Sequence, residues 1–175
     1  MDNFNTVFAD EIASTTTGEP VITQAPTDTS DTEITVDKLP DGYFSNGFME
    51  TTPDGKHRFL KRDYVDRYAK ELAVTLTSGT PTLTAAAFRS AFLRDAKKLL
   101  RRGTPDGATL TAVATMQVQA TKLVAQSKAP AVLFDMFSKL APAVTDAETF
   151  QDLYTHLDAV YTYMLQNQQQ KSADS

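Results

Sequence analysis

Residues 83–102 read LTAAAFRSAFLRDAKKLLRR, a stretch in which aromatic and leucine residues recur at helical spacing and six bases accompany one acid. Projected at 3.6 residues per turn, one narrow arc of the stretch is apolar. Its members are Phe88, Phe92, Ala96 and Leu99, widened by Leu93 and Leu100. We therefore predict an amphipathic helix whose apolar side faces a core.

The side of this helix away from the apolar arc is cationic. Its members are Arg94, Lys97 and Arg101, with Lys98 and Arg102 on their flank. The single acid, Asp95, is placed towards the border with the apolar side, where it offsets little of this charge. Five clustered cations attract polyanions, although charged helix faces are also commonly just solvated.

Arg89 departs from this division of the helix. In the 3.6-residue projection it lies between Ala96 and Leu100, and therefore inside the apolar arc. A cation in that position snorkels to the surface, pairs with a buried acceptor, or reaches a ligand at the edge of the helix.

Charge is segregated along the chain, whose 175 residues are enough for one domain and a tail and carry a formal net charge of -5. Residues 1–40 hold eight acids and one base, and residues 129–175 hold six acids and two bases. Residues 56–128 hold fourteen bases and five acids. The middle of the protein is therefore basic in spite of the acidic total.

Residue types and spacings argue against catalysis. The chain has no cysteine, and its two histidines, His57 and His156, show no ligand-like spacing to acids. The seven glycines form no nucleotide-binding loop, and the acids do not converge on an inward helix face. We therefore expect a non-enzyme with no cofactor and no metal site. The absence of a signal peptide and of a long apolar stretch predicts a cytoplasmic protein that does not contact a membrane.

The periodicity predicts an all-α fold, a compact five-helix bundle with a disordered acidic N-terminal tail. Residues 1–40 form the tail, residues 41–167 the helical domain and residues 168–175 a frayed C-terminus. Turn signals in residues 41–59 indicate a packed loop or a small hairpin that closes at residues 53–55. The predicted helices span residues 60–77, 83–102, 108–127, 131–140 and 145–166. The apolar set of the last helix is Phe150, Leu153, Tyr154, Leu157, Val160, Tyr161 and Met164.

The third predicted helix has an unusual polar face. Its members, stacked at spacings of three and four residues, are Thr111, Thr115, Gln119, Lys122 and Gln126. An ordinary solvated face is the simpler interpretation of this stripe, but the near absence of Glu and Lys, the usual residues on helix surfaces, also fits a contact surface that forms hydrogen bonds.

The order of these features resembles a known family. A Gly-Tyr-Phe loop at residues 42–44 precedes a helix that ends near Leu76, and Leu83-Thr84 then opens a helix containing FRSAFLRDAKKL. A long helix with a central lysine, a short Phe-rich helix and a final Phe/Tyr-rich helix follow. Over roughly residues 41–166 this resembles the small helical subunit of type III-A CRISPR effector (Csm) complexes. Leu83, Thr84 and Arg89 match the family pattern, whereas Ala87 and Ala91 replace a common glutamine and an aromatic residue.

The resemblance implies a non-catalytic subunit that stacks in several copies and lines the channel holding guide RNA and target RNA. Its other partners would be the backbone subunits and the large subunit of the complex. The basic helix agrees with this role, because sequence-independent binding needs only phosphate and 2′-hydroxyl contacts. The candidate RNA-binding residues are Arg89, Arg94, Lys97, Lys98, Arg101, Arg102, Lys122 and Lys128.

Two other functions fit parts of the pattern. A helical adaptor or scaffold could use the same basic face to meet an acidic protein partner. A helix-turn-helix DNA-binding protein is less well supported, because the most cationic helix is long and lacks an evident segment of base-reading residues.

Overall fold

Helices dominate the computed structural model, which describes residues 38–103 and 105–173. The elements are strands β1 (Met49–Thr51) and β2 (Arg58–Leu60), and helices α1 (Arg62–Val65), α2 (Arg67–Ser78), α3 (Ala85–Phe88), α4 (Arg94–Arg101), α5 (Asp106–Ala125), α6 (Val132–Leu140) and α7 (Ala147–Ala173). A π-helical turn, Arg89–Leu93, joins α3 to α4, and a 3₁₀ turn, Ala141–Ala143, follows α6. Nowhere in these ranges is a helix long and apolar enough to cross a membrane.

The predicted helical fold is confirmed. Helices α1 and α2 together form the first predicted helix, which is interrupted at Asp66. We use the name central helix for α3, the π turn and α4 together, residues 85–101. Counted in this way, the described ranges contain five helices, to which the small sheet is added. Thr84 caps the central helix by accepting a hydrogen bond from the backbone N–H of Ala87 at 3.2 Å.

The core lies between α2 and α7, which pack along each other, with the central helix, α5 and α6 closing it. Aromatic rings hold the central helix in place. The Phe88 and Phe92 rings lie 5.2 Å apart, and the Phe92 ring lies 4.8 Å from that of Phe137 on α6. All three side chains are at most 1% exposed, so the orientation of the central helix is set by close packing.

Of the two alternatives for residues 41–59, the structure contains the hairpin. Strands β1 and β2 pair antiparallel, with Met49 opposite Leu60 and Thr51 opposite Arg58. The connecting turn contains the predicted residues 53–55, and the backbone N–H of Gly55 donates to the Thr52 carbonyl at 2.8 Å. The hairpin is short and its residues are mostly exposed, so it is an addition to the helical fold.

The Gly-Tyr-Phe loop packs into an aromatic cluster around His156, which is fully buried on α7. Nδ1 of His156 lies 2.5 Å from the Tyr64 carbonyl oxygen, and Nε2 lies 3.0 Å from the Tyr43 hydroxyl. Gly42 begins the loop with φ of 76°, and a Cβ there would meet the Tyr68 hydroxyl at 3.2 Å. With Nδ1–H donating and Nε2 accepting, the imidazole is neutral and ties the loop to two helices.

Both ends of the predicted domain need correction. Residues 1–37 of the predicted tail lie outside the described residues, but Leu39 packs against the core and Pro40 is buried, so the tail does not extend to residue 40. The predicted frayed terminus is wrong for residues 168–173, because α7 continues to Ala173. The Lys171 ammonium donates to the Thr77 carbonyl at 3.0 Å, which ties this end of α7 to the end of α2.

The buried histidine predicts a pH dependence of stability. Burial lowers the pKa of His156 to about 4, and the hydrogen bond to Tyr64 opposes this only in part. In the unfolded chain the imidazole of His156 binds a proton near pH 6.5. The contribution of the buried neutral imidazole to the unfolding free energy is therefore complete above pH 6.5 and falls as the pH drops towards 4. We expect urea titrations to show a loss of up to about 3 kcal/mol in unfolding free energy over this window.

His156→Gln should lower the unfolding free energy at every pH but should flatten its slope between pH 6.5 and 4. Asp146 affects stability in a lower pH range. Hydrogen bonds from Thr149 lower the pKa of its carboxyl to about 2. Its contribution to the unfolding free energy therefore changes only below about pH 4, near the pKa of an aspartate in the unfolded chain. An unchanged slope in the His156→Gln variant would show that the pH dependence arises elsewhere.

Candidate nucleic-acid interface

The central helix contains a change of helical register. The backbone N–H of Arg94 donates to the carbonyl of Arg89, five residues earlier, in place of the four-residue spacing of an α-helix. Such a turn accommodates one extra residue, so α4 is rotated relative to α3 by about one residue position compared with a regular helix. The 3.6-residue projection of the sequence does not contain this rotation.

The rotation moves Arg89 out of the predicted apolar arc. Arg89 is exposed, so its predicted position among the apolar residues is wrong. In a π turn, residues five apart lie one turn apart, which places Arg94 next to Arg89 on the same face. Lys97, Lys98 and Arg101 follow at α-helical spacings of three and four residues. We call Arg89, Arg94, Lys97, Lys98 and Arg101 the cation row.

The apolar side of the central helix agrees largely with the prediction. Phe88, Phe92, Leu93 and Ala96 are buried, whereas Leu99 and Leu100 are only half-buried. The helix therefore packs most tightly around its π turn and first α4 turn, and less tightly near its end.

Asp95, predicted at the border with the core, has a side chain that is 75% exposed. Its carboxylate lies 3.2 Å from the Lys98 ammonium and 3.7 Å from the Arg94 guanidinium. Exposed ion pairs of this kind contribute little to stability and exchange readily with solvent or a ligand. One acid thus offsets only a small part of the charge of the cation row.

The cation row lines a cleft of about 430 Å³ between the central helix and α7. The wall on α7 consists of Tyr154, Asp158 and Tyr161, and Leu93 is the remaining lining residue. Spacings of four and three residues place these three side chains on one face of α7. Both tyrosines belong to the apolar set predicted for the last helix, and Asp158 is not among the predicted site residues.

The two walls interact electrostatically. The Arg89 guanidinium carbon lies 5.9 Å from the centroid of the Tyr161 ring, within the range of a cation–π contact. Burial raises the pKa of Tyr154 and the Asp158 carboxylate raises it further, while Arg101 and Arg89 oppose the rise. Tyr154 therefore stays a neutral phenol at neutral pH and can donate as well as accept a hydrogen bond.

A second cleft, of about 460 Å³, lies between the central helix and α5. Thr115 and Gln119 of the predicted polar face line it together with Ser90, Arg94 and Asp95. Arg94 also lines the first cleft and a third of about 360 Å³, which adds Leu165 and Gln168 of α7. The Arg94 side chain therefore stands where the three clefts meet.

Three of the predicted site residues lie outside the first cleft. Arg102 is exposed just beyond the end of α4, where Gly103 adopts a left-handed conformation with φ of 61°. Lys122 and Lys128 are exposed near the end of α5 and are absent from the lining of that cleft. The structure thus brings together the cation row and leaves Arg102, Lys122 and Lys128 on the surrounding surface.

Comparison of the chain with protein-family models, with curated proteins and with solved structures finds no match. In residues 38–103 and 105–173, no group of three or more His, Asp and Glu side chains is arranged to hold a metal ion.

The packing of the central helix predicts the consequence of losing its main aromatic contact. Phe92→Ala removes a side chain that is 1% exposed and packs with tilted rings against both Phe88 and Phe137, so it should lower the unfolding free energy by about 3–5 kcal/mol in urea titrations. Phe59→Ala is the matched control, because this hairpin side chain is 44% exposed and its removal should cost less than about 1 kcal/mol. Equal losses in the two variants would contradict the packing described for the central helix.

Proposed function

We propose that the protein is a non-catalytic RNA-binding subunit of a type III-A CRISPR ribonucleoprotein, in which several copies stack along the guide and target RNA. Each copy contacts the RNA backbone without sequence specificity, and base pairing between guide and target provides the specificity. The observation that carries the proposal is the cation row, which lines one cleft and has a single acid beside it on its own helix.

The geometry of the cation row favours a chain-like polyanion over a single small anion. Its cations follow one face of the central helix from Arg89 to Arg101, about 18 Å along the axis at 1.5 Å per residue. A ligand with phosphates at regular intervals can contact several of these side chains at once, and each contact releases a condensed counterion. The side chains are long and exposed, so they adapt to a backbone without reading bases.

The remaining parts of the proposal come from the resemblance and from α5. The family resemblance is based on residues 42–44, Leu83, Thr84 and Arg89. From this resemblance come the stacking of copies, the contacts with the backbone and large subunits, and the cytoplasmic location. Between Asp106 and Lys122, α5 has no charged residue, and Leu110 and Val118 on it are 44% and 59% exposed. An uncharged exposed face of this length suits a contact between copies better than contact with water.

RNA binding should be weak for one copy and steeply dependent on salt. For single-stranded RNA, five phosphate contacts correspond to a slope of at most about -3.5 in a plot of log affinity against log salt concentration. The variant Arg94→Glu/Lys97→Glu/Arg101→Glu should bind far more weakly and lose at least about two units of that slope, because three contacts are removed. Fluorescence anisotropy with a labelled oligonucleotide measures both quantities, and circular dichroism should show unchanged helix content, since all three side chains are exposed.

A matched variant separates the position of the charges from their number. Lys56→Glu/Lys70→Glu/Lys139→Glu changes the net charge equally at exposed positions outside the cleft and should keep most of the affinity. Equal losses in the two variants would indicate only a general effect of net charge. Salt-independent binding, or full binding by the variant of the cation row, would contradict the proposal and favour the adaptor function.

A further inference from the structure

The wall of the cleft opposite the cation row contains an acidic residue, which is unexpected in a site that binds only anions. Asp158 stands between Tyr154 and Tyr161 on α7 and lines the same cleft as the arginines and lysines. Its carboxylate forms no ion pair of 4.0 Å or less with a cation of residues 38–103 or 105–173. A carboxylate repels phosphate, so this side of the cleft suits a different part of the ligand.

The chemistry of this wall matches a nucleoside. Carboxylate oxygens accept hydrogen bonds from ribose hydroxyls and from N–H groups of bases, and tyrosine rings offer flat surfaces on which bases stack. Tyr161 lines two of the clefts together with Arg89 and Arg94, so a base on its ring would have cations within reach of the adjoining phosphates. Stacking on aromatic side chains tolerates any sequence, because every base has a π face.

The volume of the cleft also suits a nucleoside. The cleft of about 430 Å³ falls within the range of cavities that hold small organic ligands, roughly 300–1,000 Å³. Both tyrosines are half-buried and pack against the core, so their rings are held in place before a ligand arrives. A fixed ring loses little conformational entropy on binding.

We infer that this cleft takes up an unpaired nucleotide of the bound RNA, with its base stacked on Tyr161, its ribose hydroxyls facing Asp158, and its flanking phosphates on the cation row. The inference rests on the proposed function and adds a preference to it: the protein favours positions where a base is free over fully paired duplex. It concerns stacking, so it predicts no preference among the bases by hydrogen-bond readout.

The test compares Tyr161→Leu, which removes the π face but keeps an apolar side chain, with Tyr161→Phe, which keeps the ring and removes only the hydroxyl. The probes are a labelled oligo(A) of about 12 nucleotides, measured directly, and inorganic polyphosphate of similar charge, measured as a competitor. Tyr161→Leu should weaken oligo(A) binding about tenfold and leave polyphosphate binding unchanged, whereas Tyr161→Phe should stay within about twofold for both.

Tyr163→Leu is the matched control on the same helix. Tyr163 is also half-buried, but its hydroxyl lies 3.4 Å from Asp66 and it does not line the cleft, so its loss should leave oligo(A) binding within about twofold of wild type. Circular dichroism and urea titration of all three variants show whether each remains folded. Ultraviolet cross-linking followed by mass spectrometry should place the cross-linked nucleotide on the peptide containing Tyr161.

The outcomes separate this inference from the function on which it rests. If wild type and Tyr161→Leu bind oligo(A) equally while the variant of the cation row does not bind, the inference is overturned and the proposed function stands. A parallel loss of polyphosphate binding in Tyr161→Leu, or equal losses in the Leu and Phe variants, also overturns it, because stacking is then not the cause. Failure of wild-type protein to bind any oligonucleotide overturns both.

Discussion

The hydrogen bond from the Arg94 amide to the Arg89 carbonyl determines which side chains of the central helix face the core and which lie on its cationic face. The core requires Phe88, Phe92 and Leu93 on one side, and this five-residue turn lets all three be buried together. The same rotation brings Arg89 onto the face that carries Arg94. In a regular helix, burying the aromatic residues would place Arg89 next to them, where an unpaired cation is costly. π turns of this kind occur frequently at functional sites.

Helix α7 links the stability of the domain to the cleft. It is packed along α2, and its His156 side chain contacts the loop and helix on one side through Tyr43 and Tyr64. From the same helix, Tyr154 and Tyr161 face the central helix. Since His156 and the tyrosine wall are on the same helix, the position of the wall depends on buried contacts that do not line the cleft.

Much of the fold follows from the sequence because apolar periodicity and turn residues are local signals. These predicted the helices, and they gave the hairpin as one of two alternatives for residues 41–59. The π turn carries no such signal, so Arg89 was placed wrongly by a projection that assumes a regular helix. The extension of α7 to Ala173 depends on a contact between Lys171 and Thr77, which are distant in sequence. Tyr154 and Tyr161 were missed as site residues because a half-buried tyrosine fits the apolar pattern of a helix as well as a leucine does.

The central claim is that RNA lies along the cation row, and lysine footprinting tests it most directly. The wild-type protein would be acetylated with and without single-stranded RNA at low salt, and the modified lysines quantified by mass spectrometry. RNA should protect Lys97 and Lys98, which line the cleft, while Lys56, Lys70 and Lys139, exposed elsewhere, should react equally in both samples. Equal protection of all five lysines, or protection of the second group alone, would contradict the account.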